Sequence, residues 1–447
     1  MPVANKNIEK LFFIYLIVTP VLDIFGGAYI HVGSIIVGNT LSGLITPNLI
    51  VRMVILLLFL FYILSLRDKK SLLTIFPIGI AWLATVAGEF FFAPSFSLFT
   101  EMQYMARFGY NILALLVYWR LFQRCSYNRE QLLNWLNGYI SFTLLILSLA
   151  IHIPNILGLG YSNYGRLGTI GVYGFFHSGK DITAVLMMLI PIAIVNYVRL
   201  PAPVSGRRLK FTDLLPRSEE SRRHLFYLAA PATALSALFS IATKTAFIVF
   251  TIMVLLFVIY FLYESNNTGD KSRWQAYRRV LLVLAALILL VLIKDSTYII
   301  KRGFMHIDSI LLPPDMVFTA RMAKPLEAFA IWKAGGPFIW AFGIGRDTQL
   351  QTIEMDVFEV LFYYGIVGVL AMLWLYVKLG IGIVKHFIPR RREDYALAAF
   401  ISVGLTAAYA AMAGHVLFSV TSGFYFAFML LYSYLYYTES MEELKLI

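Results

Sequence analysis

Apolar residues in this chain come in long blocks separated by short polar stretches, with little of the alternation that marks strands. About twelve blocks approach the ~20 residues needed to cross a hydrocarbon core. They lie near 9–26, 49–66, 72–92, 104–123, 138–157, 182–198, 225–242, 246–263, 280–294, 357–380, 395–415 and 421–437. The pattern predicts an all-α polytopic membrane protein of about 12 transmembrane helices, a single membrane domain over 1–447. One long polar interruption, 295–356, separates the ninth block from the tenth. Its middle, 319–334, reads as an amphipathic helix with Pro325 near its start and Gly335-Gly336-Pro337 as its stop. Arg321, Lys324 and Glu327 recur at i, i+3 and share a face, while Met322, Leu326, Phe329, Ile331 and Trp332 supply the apolar side. A turn, Gly343-Ile344-Gly345-Arg346, follows, and Glu354 and Asp356 stand at the mouth of the next block.

Composition agrees with that pattern. Of 447 residues 60% are hydrophobic and 14% charged, against about 25% charged in soluble domains. The net charge of +12 would suggest nucleic acid in a soluble protein, but here it lies in alternate loops. One set holds Arg67, Lys69 and Lys70, then Arg120, Arg124 and Arg129. It continues with Arg199, Arg207, Arg208, Lys210, Arg217, Arg222 and Arg223, then Lys271, Arg273, Arg278 and Arg279, and last Lys385, Arg390, Arg391 and Arg392. The positive-inside rule makes that side cytoplasmic, with both termini inside and 295–356 an extracytoplasmic loop. The alternation holds only if all the blocks are counted. No nucleic-acid partner is expected; the lipid bilayer is. The single cysteine, Cys125, allows no disulfide framework. Lys6 and Lys10 precede the first block without a small-residue cleavage pattern, which predicts a retained first span. No internal repeat of fixed period is present.

Several polar residues could carry chemistry. Asp23, Arg52, Glu89 and Arg107 lie near the outer ends of the first four blocks, where charges are either structural pairs or functional; the structural reading is two ion pairs tying those helices together. The loop 158–181, GLGYSNYGRLGTIGVYGFFHSGKD, offers Arg166, His177, Lys180 and Asp181 among seven glycines. Those glycines let backbone approach a ligand closely, or make a flexible loop with interfacial aromatics. Lys244 sits in the short turn 242–246, either snorkelling or pointing into a cavity. With Arg166, Arg321 and Arg346 it suggests a cationic outer cavity, suited to the oxygens of a diphosphate; Lys324 is a further candidate cation. Glu354, Asp356 and Glu359 are candidate bases, with helix capping by Asp356 and dipole complementation as the bland alternative. His152 and His415 read as helix contacts. No metal-ligand spacing, Ser-His-Asp arrangement or Asp-x-Asp is present, so neither metal nor cofactor is expected.

Taken together, these features resemble the O-antigen ligase and O-antigen polymerase superfamily. The resemblance rests on the order of spans, the long outer loop between helices 9 and 10, and three local pieces. These are Arg166 to Pro191 (RLGTIGVYGFFHSGKDITAVLMMLIP), Thr243-Lys244-Thr245-Ala246, and Arg321 to Gly345 followed by Glu354-x-Asp356 and Tyr364-Gly365-Ile366-Val367-Gly368. It implies a bacterial cytoplasmic-membrane enzyme with its active site facing outward. The implied reaction is metal-independent, inverting transfer of a glycan from an undecaprenyl diphosphate carrier to a glycan or glycolipid acceptor, with a chain-length regulator as a candidate partner. The family's basic residues hold the diphosphate, which points to Lys244 and Arg321, with Arg166 assisting. Ligases carry a histidine after the Gly-x-Gly turn; here the segment is DTQLQTIEMD. Glu354 or Asp356 would replace that histidine, or the chain is a polymerase.

Other readings predict other patterns. A lipid-linked oligosaccharide flippase or other polysaccharide transporter calls for polar groups at mid-bilayer and broken helices, whereas the polar groups here gather at the outer ends of the blocks. A cell-wall glycan polymerase of the shape–elongation–division type shares the general layout without a clear motif match. Anchoring alone does not require so many spans.

Overall fold

The computed structural model describes residues 6–37, 46–67, 69–92, 97–164, 170–176, 178–200, 219–241, 243–268, 271–294, 314–346, 353, 355–412, 414 and 416–438. Among these the chain is a bundle of α-helices with one short hairpin. The first five helices are α1 (Lys6–Val37), α2 (Pro47–Leu66), α3 (Lys69–Phe92), α4 (Leu98–Arg124) and α5 (Arg129–Leu157). Antiparallel strands β1 (Ser162–Tyr164) and β2 (Ile170–Val172) follow, paired Ser162 with Val172 and Tyr164 with Ile170. Then come α6 (Gly179–Val198), α7 (Glu219–Ile241), α8 (Lys244–Thr268), α9 (Lys271–Lys294), α10 (Pro314–Ala334), α11 (Gly336–Phe342), α12 (Asp356–Arg390), α13 (Asp394–Met412) and α14 (Ser422–Tyr437).

Local chemistry sets many of the boundaries. Thr46, Ser97 and Ser178 accept from the first-turn N–H groups of α2, α4 and α6 through their hydroxyls, the role for which short polar side chains are suited. Asn128 and Gln131 form a reciprocal capping box at α5, and Gly158 closes that helix in the left-handed region. Thr243 caps α8, its Oγ1 accepting from Ala246 N at 3.0 Å.

Each apolar block falls on a helix, and among the described residues 8 of the helices are long and apolar enough to cross a membrane: α1, α2, α3, α5, α6, α7, α12 and α13. With large apolar side chains such as Leu73, Phe76, Leu83 and Phe91 facing outward and charged ones buried within, this is an all-α polytopic membrane protein. The other helices that carry blocks have evident dilutions. α4 bears Glu101, Gln103, Arg107 and Asn111, α9 opens on Lys271, Arg273, Arg278 and Arg279, and α8 has a shorter apolar run, Thr245–Ile259. α14 has 16 residues and, like α6, is buried nearly throughout.

Because lipid is as apolar as leucine, polar ties between helices matter more here than area burial. Asn196 of α6 donates to Asn137 O and Ser141 Oγ of α5, both at 2.9 Å, and accepts from Tyr395 OH of α13 at 2.9 Å. Tyr432 OH of α14 donates to Asn137 Oδ1 at 2.7 Å. Such bonds contribute about 0.6 to 2 kcal/mol each. At the arginine-rich end Arg199 pairs with Asp394 at 2.6 Å, and Arg129 donates to the last carbonyls of α14, those of Leu435 and Tyr436.

The opposite end is built around the turn between α13 and α14. Asp356 Oδ2 accepts from Val416 N at 2.8 Å and Leu417 N at 2.9 Å. Asn111 Nδ2 donates to Leu417 O at 2.8 Å and Ser419 O at 3.0 Å. Asp23 and Arg52, themselves ion-paired, both bond the Thr421 hydroxyl. Four helices thus hold one short non-helical stretch, two of them through its backbone, the kind of partner that backbone leaving a helix within a bilayer requires.

Several expectations need correction. Asp23–Arg52 is an ion pair, but no pair joins Glu89 to Arg107 among the described residues: Glu89 lies against Gly345, and Arg107 is exposed over the Tyr104 ring. Asp356 does not cap its own helix; it is the first residue of α12 and its carboxylate holds the 416–417 backbone instead. The helix expected over 319–334 starts at Pro314, so Pro325 lies inside it. Gly335 breaks it, and Gly336-Pro337 then opens α11, where proline's missing N–H costs nothing. The tenth block is also broken, with Gly365 inside α12 at φ 68 and ψ −170.

Two substitutions test the turn. A methyl group on Gly423 would lie 2.0 Å from Asn111 Nδ2 and 2.6 Å from Val416 O. Gly423→Ala should therefore cost about 1–3 kcal/mol, seen as a lower Tm in detergent, while Gly404→Ala, with open space around it, should not lower it. Asp356→Ala orphans two buried N–H groups at about 1–3 kcal/mol each, and Asp356→Asn should fall between it and wild type. An unchanged Tm for Asp356→Ala would show that the turn does not depend on this carboxylate.

Candidate active site

The break at Gly365 positions the polar cluster at this end. Two carbonyls in the turn before it, those of Phe362 and Tyr363, accept from Ile344 N at 2.8 Å and Gly345 N at 3.1 Å. The segment 343–346 therefore runs along α12 as a partner for backbone that the break would otherwise leave open. Glycine is needed on both sides of the contact. A Cβ on Gly343 would lie 2.2 Å from Tyr363 O, and one on Gly365 2.3 Å from Ala341 O; both glycines also have positive φ. Upstream, α11 is tied to α3, where Thr85 Oγ1 donates to Phe342 O at 2.7 Å, and Trp332 and Phe329 of α10 pack on Phe362.

That path delivers Arg346 into the bundle, 6% exposed. Its backbone N–H donates to Glu101 Oε1 at 2.8 Å, and its Nε donates to Tyr364 OH at 3.2 Å. Tyr364 OH in turn donates to Glu101 Oε2 at 3.3 Å. Nη2 approaches Glu359 Oε1 at 2.6 Å, an ion pair by distance without the angles of a hydrogen bond. The guanidinium carbon lies 3.5 Å from the centre of the Tyr104 ring and 4.8 Å from those of Tyr363 and Phe418, a desolvated cation–π arrangement. Burial pulls the Arg346 pKa down, but Tyr364, Glu359 and Glu101 more than offset it and raise it above its ordinary value, so the group is a permanent cation. Glu89 completes the cluster from α3: a Cβ on Gly345 would fall 1.8 Å from its Oε1. Three buried carboxylates thus surround one buried guanidinium.

The candidates named from sequence distribute as follows. Asp356 lies one turn before Glu359 on α12, both fully buried, with Asp356 engaged by the 416–417 backbone. Lys324 is half-buried on α10, and Lys180 half-buried in the first turn of α6, where its carbonyl accepts from Tyr409 OH at 3.1 Å. Lys244 is the first residue of α8 and Arg321 lies in α10; their side chains fall outside the described part of the structure, as do Arg166, His177, Glu354 and His415 entirely. Two glycines of the 158–181 segment serve chain packing. Gly174 abuts Ala150 O of α5, Gly160 abuts Gly174 O, and Tyr161 stacks on Tyr173 across the hairpin. His152 bonds Thr233 O and Ser236 Oγ of α7, a helix contact. Among the described residues no group of three or more His, Cys, Asp or Glu is arranged to hold a metal ion.

Glu101, Tyr104, Tyr363 and Phe418 are the members that sequence reading missed, and Tyr364 entered it only as part of the resemblance. Glu101 had a signal, since it is an acid at the end of an otherwise apolar stretch, as Glu89 is. The aromatic members had none, because nothing local separates them from the other rings of an aromatic-rich membrane chain.

Residues 5–311 match the family model described as O-antigen ligase like membrane protein. The match takes in α1–α9, with Glu89, Glu101, Arg166 and Lys244, and ends before Arg321, Arg346 and α12. No curated protein matches the chain. With more than half its length covered by that model, the chain belongs to the O-antigen ligase-like membrane protein family.

Proposed function

We propose that this protein is a glycosyltransferase that moves a glycan from an undecaprenyl diphosphate carrier to a glycan or glycolipid acceptor on the outer face of the bacterial cytoplasmic membrane. In this reading about twelve helices cross the bilayer, both termini and the arginine-rich loops are cytoplasmic, and the Arg346 end faces outward. The observation that supports it best is the placing of buried ionisable groups. Asp23, Arg52, Glu89, Glu101, Arg346, Asp356 and Glu359 all gather at one end of the bundle. That suits chemistry at a membrane surface, whereas alternating access needs polar groups midway along the helices.

The acceptor hydroxyl attacks the anomeric carbon from the face opposite the phosphate. A new C–O bond forms, the bond from that carbon to the diphosphate oxygen breaks, and undecaprenyl diphosphate leaves with the electron pair. The configuration inverts. Arg321 and Lys244, assisted by Arg166, stabilise the charge developing on the leaving group, work that preorganised cations can do in a water-poor site without a metal. The acceptor proton passes to a carboxylate, Glu354 or Asp356. Of the two, Glu354 is the better assignment, because Asp356 already serves two backbone N–H groups.

The test is a transfer assay with purified protein and undecaprenyl-diphosphate-linked glycan, following both glycan and released lipid diphosphate. Wild type should release the diphosphate, and Arg321→Ala should lower the rate by about 10²–10³-fold, the usual cost of removing one transition-state donor. Product length separates polymerase from ligase. Translocation of the intact lipid-linked glycan in proteoliposomes, with no diphosphate released, would replace this reading with that of a transporter.

A further inference from the structure

We propose that Arg346 is a positioning residue and not a ligand of the diphosphate, its guanidinium clamping the α10–α11 segment to α4 and α12 through Tyr364, Glu101 and Glu359. The proposal rests on the glycosyl-transfer reading only for its effect on rate; the clamp itself is argued from geometry.

Three observations carry it. First, the guanidinium is already engaged. Nε donates to Tyr364 OH, Nη2 faces Glu359, and the Tyr104 and Phe418 rings lie close against it. A diphosphate would have to displace a carboxylate and at least one ring to reach it. Second, its charge is already matched. Glu359 pairs with the guanidinium, and Glu101 accepts from its backbone N–H and from the Tyr364 hydroxyl, so a diphosphate brought here would compete with acids already in place. Third, Arg346 is placed where one residue can hold a large segment. It directly follows the 343–345 stretch that pairs with the broken backbone of α12, and that stretch is the exit of α11. Its own N–H and its side chain reach two helices, α4 and α12, that are far apart in the chain. α10 and α11, and with them the position of Arg321, therefore take their seat on the bundle from this cluster.

A ligand and a clamp respond differently to removal of the partner charge. Arg346→Gln strands the Glu359 carboxylate, and the double variant Arg346→Gln/Glu359→Gln removes both members of the pair. For a clamp, the single variant should transfer glycan about 10²-fold more slowly, the effect of a displacement of about 1 Å at a site. The double variant should recover at least tenfold of that loss. For a diphosphate ligand the double variant should be no faster than the single one.

A second readout needs no activity. On a Cys125→Ser background, spin labels are placed at Lys333 on α10 and Phe99 on α4, both exposed. Their distance distribution should be narrow in the parent, broad in Arg346→Gln and narrow again in the double variant. Should Arg346→Gln fail to give a monodisperse protein while the double variant does, that recovery counts as the rescue. Equal distributions in all three forms, or a double variant no better than the single in both assays, would overturn the clamp. Absence of diphosphate release from every form, with the narrow–broad–narrow series intact, would sink the glycosyl-transfer reading and leave the clamp standing.

Discussion

The constraint on which this end of the molecule depends is the need to satisfy backbone that leaves a helix where no water is at hand. Two such places occur among the described residues, and the chain meets them in different ways. The 416–421 turn is held by side chains, with Asp356 accepting from two of its N–H groups and Asn111 donating to two of its carbonyls. At Gly365 backbone meets backbone, as Ile344 and Gly345 supply the N–H groups for Phe362 and Tyr363. An unsatisfied group in hydrocarbon costs several kcal/mol, more than any single packing contact around it. These bonds therefore decide where the two irregular stretches lie, and the aromatic packing follows.

That arrangement has an electrostatic consequence. Drawing 343–346 alongside α12 brings a permanent cation among Glu101, Glu359 and Glu89. Glu359 and Glu101 already engage that cation, so the cluster is poorly suited to hold an anionic leaving group. The cations proposed for the diphosphate lie elsewhere, on α8, α10 and the segment after β1. A transfer reaction needs both surroundings, a cationic one for the departing diphosphate and a polar or acidic one near the incoming hydroxyl. Their separation into different elements is what such a site would require.

How much of this was legible in sequence follows from the range of the interactions. The helices were legible because long apolar blocks and their caps are local: Thr46, Ser97, Asn128 and Ser178 each lie just ahead of the helix they start. Gly335 was legible as a break for the same reason. The end of α10 was therefore placed well and its beginning at Pro314 was not, because Pro325 offers a second proline that reads equally well as a first-turn residue. The non-local ties were not legible. A carboxylate in the first turn of a helix invites a capping assignment, and only the fold brings Val416 and Leu417, 60 and 61 residues further on, within reach of Asp356. Likewise a pairing of Glu89 with Arg107 is reasonable for neighbouring helices, until the chain returns at Gly345 to occupy the space beside Glu89.

The division of the cluster between two parts of the chain also bears on what family membership explains. The matched region, 5–311, supplies α3 and α4 with Glu89 and Glu101. The remainder supplies Arg346, Asp356, Glu359 and Phe418. Neither part holds a complete cluster: without α12 and 343–346 the α4 carboxylate has no cation, and without α4 the 416–419 backbone loses Asn111. Family membership by the matched helices thus accounts for the α3 and α4 side of the cluster, while its cation and the α12 acids come from segments that pack against those helices.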